Sequence, residues 1–216
     1  MLKNIKAAIF DMDGTIIDSM WVWSKIDNDY LAKRNISVPK DLKDSIEHLT
    51  FEETAKYFKN KFNIQDDIKT IMNEWNEMAY DEYKNNVKLK PGVKKFLSLL
   101  KSLDIKIALA TSNCTLLLET ALKQTGIYDY FEIITTTDEV NKGKSSPDIY
   151  LLTANKLNVK PEECIVFEDI LPAVQGAKAA GMKVVAVHDP FSEYQKNELI
   201  KNADKYLTTY EEFEAV

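Results

Sequence analysis

Cysteine is scarce in this chain. Two residues of 216, Cys114 and Cys164, are too few for a disulfide framework or a thiolate metal site. A reducing, cytoplasmic setting is the expectation that follows. Histidine is equally rare, and His48 and His188 alone exclude a multi-histidine metal centre. Six glycines and six prolines rule out a collagen-like or low-complexity chain. Long apolar runs are missing too. They stop at about four residues, against the roughly 20 that a transmembrane helix requires. The opening residues, Met1 to Ile5, show no hydrophobic leader and no small-residue cleavage site, so no secretory signal is expected. Positive charge is in deficit: 28 Lys and Arg against 34 Asp and Glu leave a net charge of −6. A phosphate-rich surface repels such a chain, so neither nucleic acid nor an anionic membrane is an expected partner. If the substrate is itself an anion, something local must reverse the sign.

What remains is ordinary globular composition, 45% hydrophobic and 29% charged. Short, β-branched or small-residue runs predict buried parallel strands at Ile5 to Phe10, Ile105 to Ala110, Glu132 to Thr135, Cys164 to Glu168 and Lys183 to Val187. Helical patterns alternate with them. One opens at Pro91-Gly92, one covers Thr115 to Thr125, one runs from Pro147 to Leu157, and one spans Pro172 to Ala180. Strand and helix in alternation imply right-handed crossovers and a Rossmann-like α/β core with a parallel sheet covered on both faces.

Residues 16–88 break that rhythm. No convincing strand is found there, and helical patterns fill Met20 to Lys33, Leu42 to His48, Phe51 to Phe62 and Ile68 to Tyr83. Thr50 followed by Glu53 has the form of a capping box. The expected organisation is therefore a core of residues 1–15 and 89–216 with a helical insert after the first strand. An insert there stands over the carboxyl end of that strand, where open α/β sheets bind ligands, and is placed to act as a lid. Ten of the 22 aromatics lie in it. Aromatics at helical spacing form the core of a small bundle, although Trp21 and Trp23 also fit a stacking surface for a sugar or base.

The sharpest signal follows the first strand: Asp11-Met12-Asp13-Gly14-Thr15. Two carboxylates leave the strand end two residues apart, and Gly14 permits a tight turn. Such a pair can divide labour, one as nucleophile or metal ligand and the other as proton shuttle. A calcium-binding EF-hand loop does not fit, because Ile16 stands where that loop needs glycine. Three further groups sit at strand ends or loops: Thr111-Ser112-Asn113, Lys144, and Glu168-Asp169. The hydroxyl and amides beginning at Thr111 suit a phosphate, or else cap the helix that starts near Thr115. Lys144 offers a point charge for phosphate; a solvated loop lysine is the plain alternative. Gly143-Lys144-Ser145 is no P-loop tail, because Asp138 occupies the position of that motif's first glycine. Glu168 and Asp169 bring carboxylates beside the first strand, and gathered carboxylates call for a hard cation such as Mg²⁺.

In this order and at these places the four groups resemble the motifs of the haloacid dehalogenase-like hydrolases. The resemblance covers essentially the whole chain. The helical insert is similar to the cap of the phosphoglycolate phosphatase and β-phosphoglucomutase branch. It implies an Asp11 nucleophile that becomes phosphorylated and an Asp13 general acid and base. It implies Mg²⁺ held by Asp11, the Asp13 main-chain carbonyl and Asp169, with Glu168 near the ion directly or through water. Thr111 and Lys144 would act on the phosphoryl group, with Gly14, Thr15, Ser112 and Asn113 lining its pocket. The implied partner is a small phosphorylated metabolite, a sugar phosphate first, and a monomer or weak homodimer suffices. Asp13 argues against the dehalogenases of the superfamily, which lack this second acid. The loop from His48 to Phe51 offers no lysine of the phosphonatase kind. The mutases carry a glycine and an arginine in that loop, where Leu49 and Glu52 stand here, and a histidine near the place of Trp23. A phosphatase is therefore expected, with a phosphosugar mutase and a catalytically silent binding protein as the alternatives.

Overall fold

A computed structural model describes residues 1–46 and 51–213, apart from the side chains of residues 43 and 44. His48, Leu49 and the expected cap residue Thr50 lie outside the described residues. In chain order the elements are β1 (Ala7–Phe10), β2 (Ile17–Asp18), α1 (Trp21–Ala32), α2 (Leu42–Ile46), α3 (Phe51–Lys61), α4 (Ile68–Asn85), β3 (Lys88–Leu89), α5 (Val93–Ser102), β4 (Lys106–Thr111), α6 (Thr115–Gln124) and β5 (Ile133–Thr136). They continue with α7 (Asp148–Lys156), β6 (Cys164–Glu168), α8 (Leu171–Ala179), β7 (Lys183–Val187), α9 (Lys196–Asn202) and β8 (Lys205–Leu207). The chain divides into two compact units, residues 1–19 with 87–216, and residues 20–86.

The first unit is built on a six-stranded sheet in the order β5-β4-β1-β6-β7-β8, with every pairing parallel. Its α/β, Rossmann-like architecture is the one expected. β1 lies between β4 and β6, pairing Ala7 with Lys106 on one side and with Cys164 on the other. All four of its residues are buried, which is why the sequence there is a continuous apolar run rather than an alternation. After β1 the chain adds β4 and β5 on one flank, then crosses back to β6 on the other. β1 is thus the topological switch point, and a crevice opens at the carboxyl ends beside it. Below that crevice, Phe10 stacks on Phe167 at 4.5 Å, and Phe96 meets both rings edge-on. The opposite face is filled by smaller residues, among them Ala7, Ile9, Ala108, Val166, Val174 and Ala177.

Four short elements depart from expectation. β2 and β3 form a two-residue antiparallel ribbon, Ile17 with Leu89 and Asp18 with Lys88, inside a stretch read as strand-free. α9 and the edge strand β8 were also not predicted. Both are short, and β8 begins on the half-exposed residues Lys205 and Tyr206, without a buried apolar run to mark it.

The second unit is helical. Tyr30 and Phe58 pack edge-on against Trp75 at 5.5 and 4.9 Å, giving the aromatic core that the spacing implies. Trp23 is half-buried and meets Phe51 at 5.6 Å. Arg34 stacks 3.8 Å over Tyr30 while bonding Asp66 at 3.0 Å and Glu74 at 2.8 Å. Asp67 caps α4 by accepting the Thr70 amide at 2.8 Å. No helix among the described residues is long and apolar enough to cross a membrane.

Candidate active site

Asp11 occupies the first position beyond β1, and its amide still donates to Phe167 of β6 at 3.0 Å. The chain then turns tightly around one acceptor. The Met12 carbonyl receives the amides of Thr15, Ile16 and Ile17 at 3.3, 3.0 and 3.1 Å. Gly14 makes this turn at φ 78°, a left-handed conformation that a Cβ would strain. The two aspartates of the motif consequently acquire different partners. Asp11 is buried and accepts from the Lys144 ammonium. Asp13 accepts from Ser19 Oγ at 2.7 Å and from Asn113 Nδ2 at 2.9 Å.

Thr111 ends β4, buried, and its hydroxyl accepts the Asn113 amide at 3.0 Å. The N-cap of α6 is Cys114 rather than Thr111, so Thr111 is not that helix's cap. Asn113 closes the turn through its side-chain Oδ1, which accepts the Cys114 amide at 2.8 Å. Ser112 is exposed.

Lys144 is no solvated loop lysine. Its side chain is 8% exposed, and Nζ donates to Asp11 and, at 2.8 Å, to Glu168 Oε1. Glu168 is the last residue of β6 and Asp169 the next; both are buried. Thr15 Oγ1 reaches Asp169 at 3.3 Å. One carboxylate oxygen each from Asp11, Glu168 and Asp169 lies within 4.8 Å of the others. The structure thus brings Asp11, Thr15, Lys144, Glu168 and Asp169 into one buried cluster, with Asp13 and Asn113 joined to each other beside it.

Electrostatics here are unbalanced. Three buried carboxylates face one buried ammonium. Burial, aided by the charge of Asp11, pushes the Glu168 carboxyl up to about 8 despite Lys144 and Tyr150. Burial and then Asp11, Glu168 and Asp189 raise Asp169 well above the usual carboxylate range. Burial opposes the charge of Lys144, but Asp11 and Glu168 outweigh it and hold the ammonium above its ordinary value. Glu168 Oε2 is buried and has no hydrogen-bond partner among the described residues. An orphaned carboxylate oxygen, surplus negative charge and an all-oxygen donor set fit a hard divalent cation.

Residues 8–187 match the family model of the haloacid dehalogenase-like hydrolases. The chain belongs to this family. Two curated relatives stand near it. Bacillus subtilis YhcW, provisionally named a phosphatase, is 32% identical over 85% of this chain and 83% of its own. The Thermotoga maritima phosphorylated carbohydrates phosphatase is 31% identical over 83% of each chain. A Thermotoga maritima crystal structure, provisionally described as a β-phosphoglucomutase, superposes with a TM-score of 0.84 at 28% identity, covering 98% of this chain and 100% of that one. In this member of the family, the buried carboxylate cluster lies at the switch point of the sheet.

Sequence reasoning left Ser19, Tyr150 and Gly176 without a role. Gly176 had a signal: glycine inside a helix is unfavourable and marks a close approach. A Cβ there would stand 2.0 Å from the Lys144 carbonyl oxygen. Tyr150 had none, because a helical tyrosine reads as core until its hydroxyl is located.

Proposed function

We propose that this haloacid dehalogenase-like hydrolase is a Mg²⁺-dependent phosphatase that acts through a phosphorylated Asp11. The enzyme is a phosphoric monoester hydrolase, and its substrate is a small phosphorylated metabolite. A sugar or polyol phosphate is the favoured class, from the carbohydrate phosphatase among its relatives. The observation that carries the reading is Asp11 itself, held by Lys144 in a buried, cation-seeking cluster at the sheet's switch point.

Asp11 attacks phosphorus, and the bond to the leaving alcohol breaks as Asp13 protonates the departing oxygen. Asp13 then takes a proton from water, whose oxygen attacks the same phosphorus. The acyl-phosphate bond breaks, releasing phosphate and free Asp11. Ser19 suits both protonation states of Asp13, since a hydroxyl can donate to a carboxylate or accept from a carboxylic acid. Lys144 and Thr111, with the Ser112 and Asn113 amides, hold the phosphoryl oxygens, and Gly14 and Thr15 shape the floor. Asp11, Asp169 and the Asp13 carbonyl would hold Mg²⁺, with Glu168 beside it. When bound, the ion supplies the positive charge that admits a phosphate to this acidic crevice. Residues 16–88 serve as the cap in this scheme, and a cytoplasmic monomer or weak homodimer is sufficient for it.

The test is phosphate release from p-nitrophenyl phosphate and a phosphosugar panel. Release should require a divalent cation, and Asp11→Asn should lower it by at least roughly 10³-fold without unfolding the chain. No release from any compound, with or without Mg²⁺, would support the silent binding protein instead. Isomerisation of β-glucose 1-phosphate, with a bisphosphate primer, faster than phosphate release would establish a mutase.

A further inference from the structure

Tyr150 sits in the first turns of α7, six residues beyond Lys144 in the chain, and is fully buried. Its ring belongs to the core, but its hydroxyl does not end there. It lies 2.9 Å from Glu168 Oε1 and 3.2 Å from the Ala173 carbonyl. A phenol has one hydrogen, and the nearer acceptor, the Glu168 oxygen, takes it. Lys144 Nζ donates to the same Oε1 at 2.8 Å. One oxygen of Glu168 therefore collects both donors while the other, Oε2, is buried with none among the described residues. The division is chemical as well as geometric. Donors on Oε1 fix the carboxylate's rotation and leave the lone pairs of Oε2 for a ligand that no described protein group supplies.

We propose that Tyr150 is a positioning residue for the cation site: its hydroxyl and Lys144 together lock Glu168 so that Oε2 faces the divalent ion. The inference rests on the metal-dependent phosphatase reading. Buried partners that orient ligand carboxylates change metal affinity by about 10–100-fold when removed. Lys144 alone is a poor lock, because an ammonium on a flexible stem also serves Asp11 and is a point charge without directional preference. The phenol is rigid, anchored by its packed ring, and supplies the direction.

The experiment compares Tyr150→Phe with the wild type and with Thr153→Ala. The latter deletes another buried hydroxyl of α7, one that among the described residues bonds within the helix, to the Ile149 carbonyl at 2.7 Å. Mg²⁺ affinity is measured by calorimetric titration of the metal-free proteins, alongside melting temperature and the Mg²⁺ dependence of turnover. Tyr150→Phe should bind Mg²⁺ about tenfold more weakly. Its kcat should recover at saturating Mg²⁺, its KM for p-nitrophenyl phosphate should be unchanged, and Thr153→Ala should bind Mg²⁺ like the wild type. Equal Mg²⁺ affinity in Tyr150→Phe and wild type overturns the role of Tyr150 while leaving the phosphatase reading standing. Equal weakening in both variants assigns the effect to general loosening of α7 and also overturns it. A wild type that binds no Mg²⁺ removes both readings.

Discussion

Gly176 shows how closely one residue can govern a site to which it brings no side chain. α8 lies so near the Lys144 backbone that a methyl group at Gly176 would be 2.0 Å from the carbonyl oxygen. Backbone cannot yield as a flexible side chain can, so Gly176→Ala must shift the Lys144 backbone and disturb its contacts with Asp11 and Glu168. Overpacking of this kind destabilises by about 1–3 kcal/mol. Phosphatase assays alongside denaturant unfolding should find activity falling by at least about tenfold, more than the modest stability loss explains, because displacement by about 1 Å disturbs catalytic positioning strongly. Asp27 illustrates the opposite, a charge the fold tolerates poorly. Burial pushes its carboxyl up to about 6. Against an unfolded value of about 3.9, the folded state prefers the neutral acid. That stabilisation is complete below the unfolded value and is lost as pH rises through about 6. Asp27→Asn should therefore melt at the wild-type temperature near pH 4 and above it at pH 8, as thermal unfolding across pH would record.

At the scale of elements, the β2–β3 ribbon shows why some structure was legible in the sequence and some was not. All five predicted strands are present, two with the expected ends and three with ends shifted by one or two residues, and all but the half-buried β5 are built on buried apolar runs. β2 and β3 have two residues each, too few for any period, and form because Gly14 and Lys90 amides pair with the Ile17 and Ile16 carbonyls. The ribbon is held by Lys90, which follows β3. Its ammonium bonds Asp189, 2.8 Å away and 1% exposed, and the His188 carbonyl at 2.6 Å. Removing one partner of a buried pair strands the other charge. Lys90→Met should therefore lower unfolding free energy by about 3 kcal/mol, with Lys90→Met/Asp189→Asn recovering much of it. Chemical denaturation of both variants checks this.

For the whole molecule, the net charge of −6 and the chemistry of the site point in opposite directions. The conflict is resolved by distance. Exposed charges are screened beyond about 10 Å at 0.1 M salt, whereas buried groups act at contact. In the proposed reading, phosphate would therefore meet Lys144, the amides after Thr111 and the cation held there, not the average surface. If entry depended on a positive surface field, kcat/KM would fall steeply with salt. The expectation here is a change of less than about twofold between 0.02 and 0.2 M salt, and no decline, in steady-state assays at fixed Mg²⁺.

The sequence by itself determined the local chemistry: which strands are buried, where the chain turns at Gly14, and which acids stand at strand ends. These follow from side-chain period, backbone freedom and residue type, all of which are properties of neighbours in the chain. Tertiary structure decided the rest. Lys144 is 133 residues from Asp11, yet the two bond directly. Tyr150 reaches Glu168 across 18 residues and Gly176 makes room for Lys144. Parallel crossovers bring such distant segments together at one sheet edge. Only the packed fold could show that one oxygen of Glu168 is doubly held while its twin has no partner among the described residues.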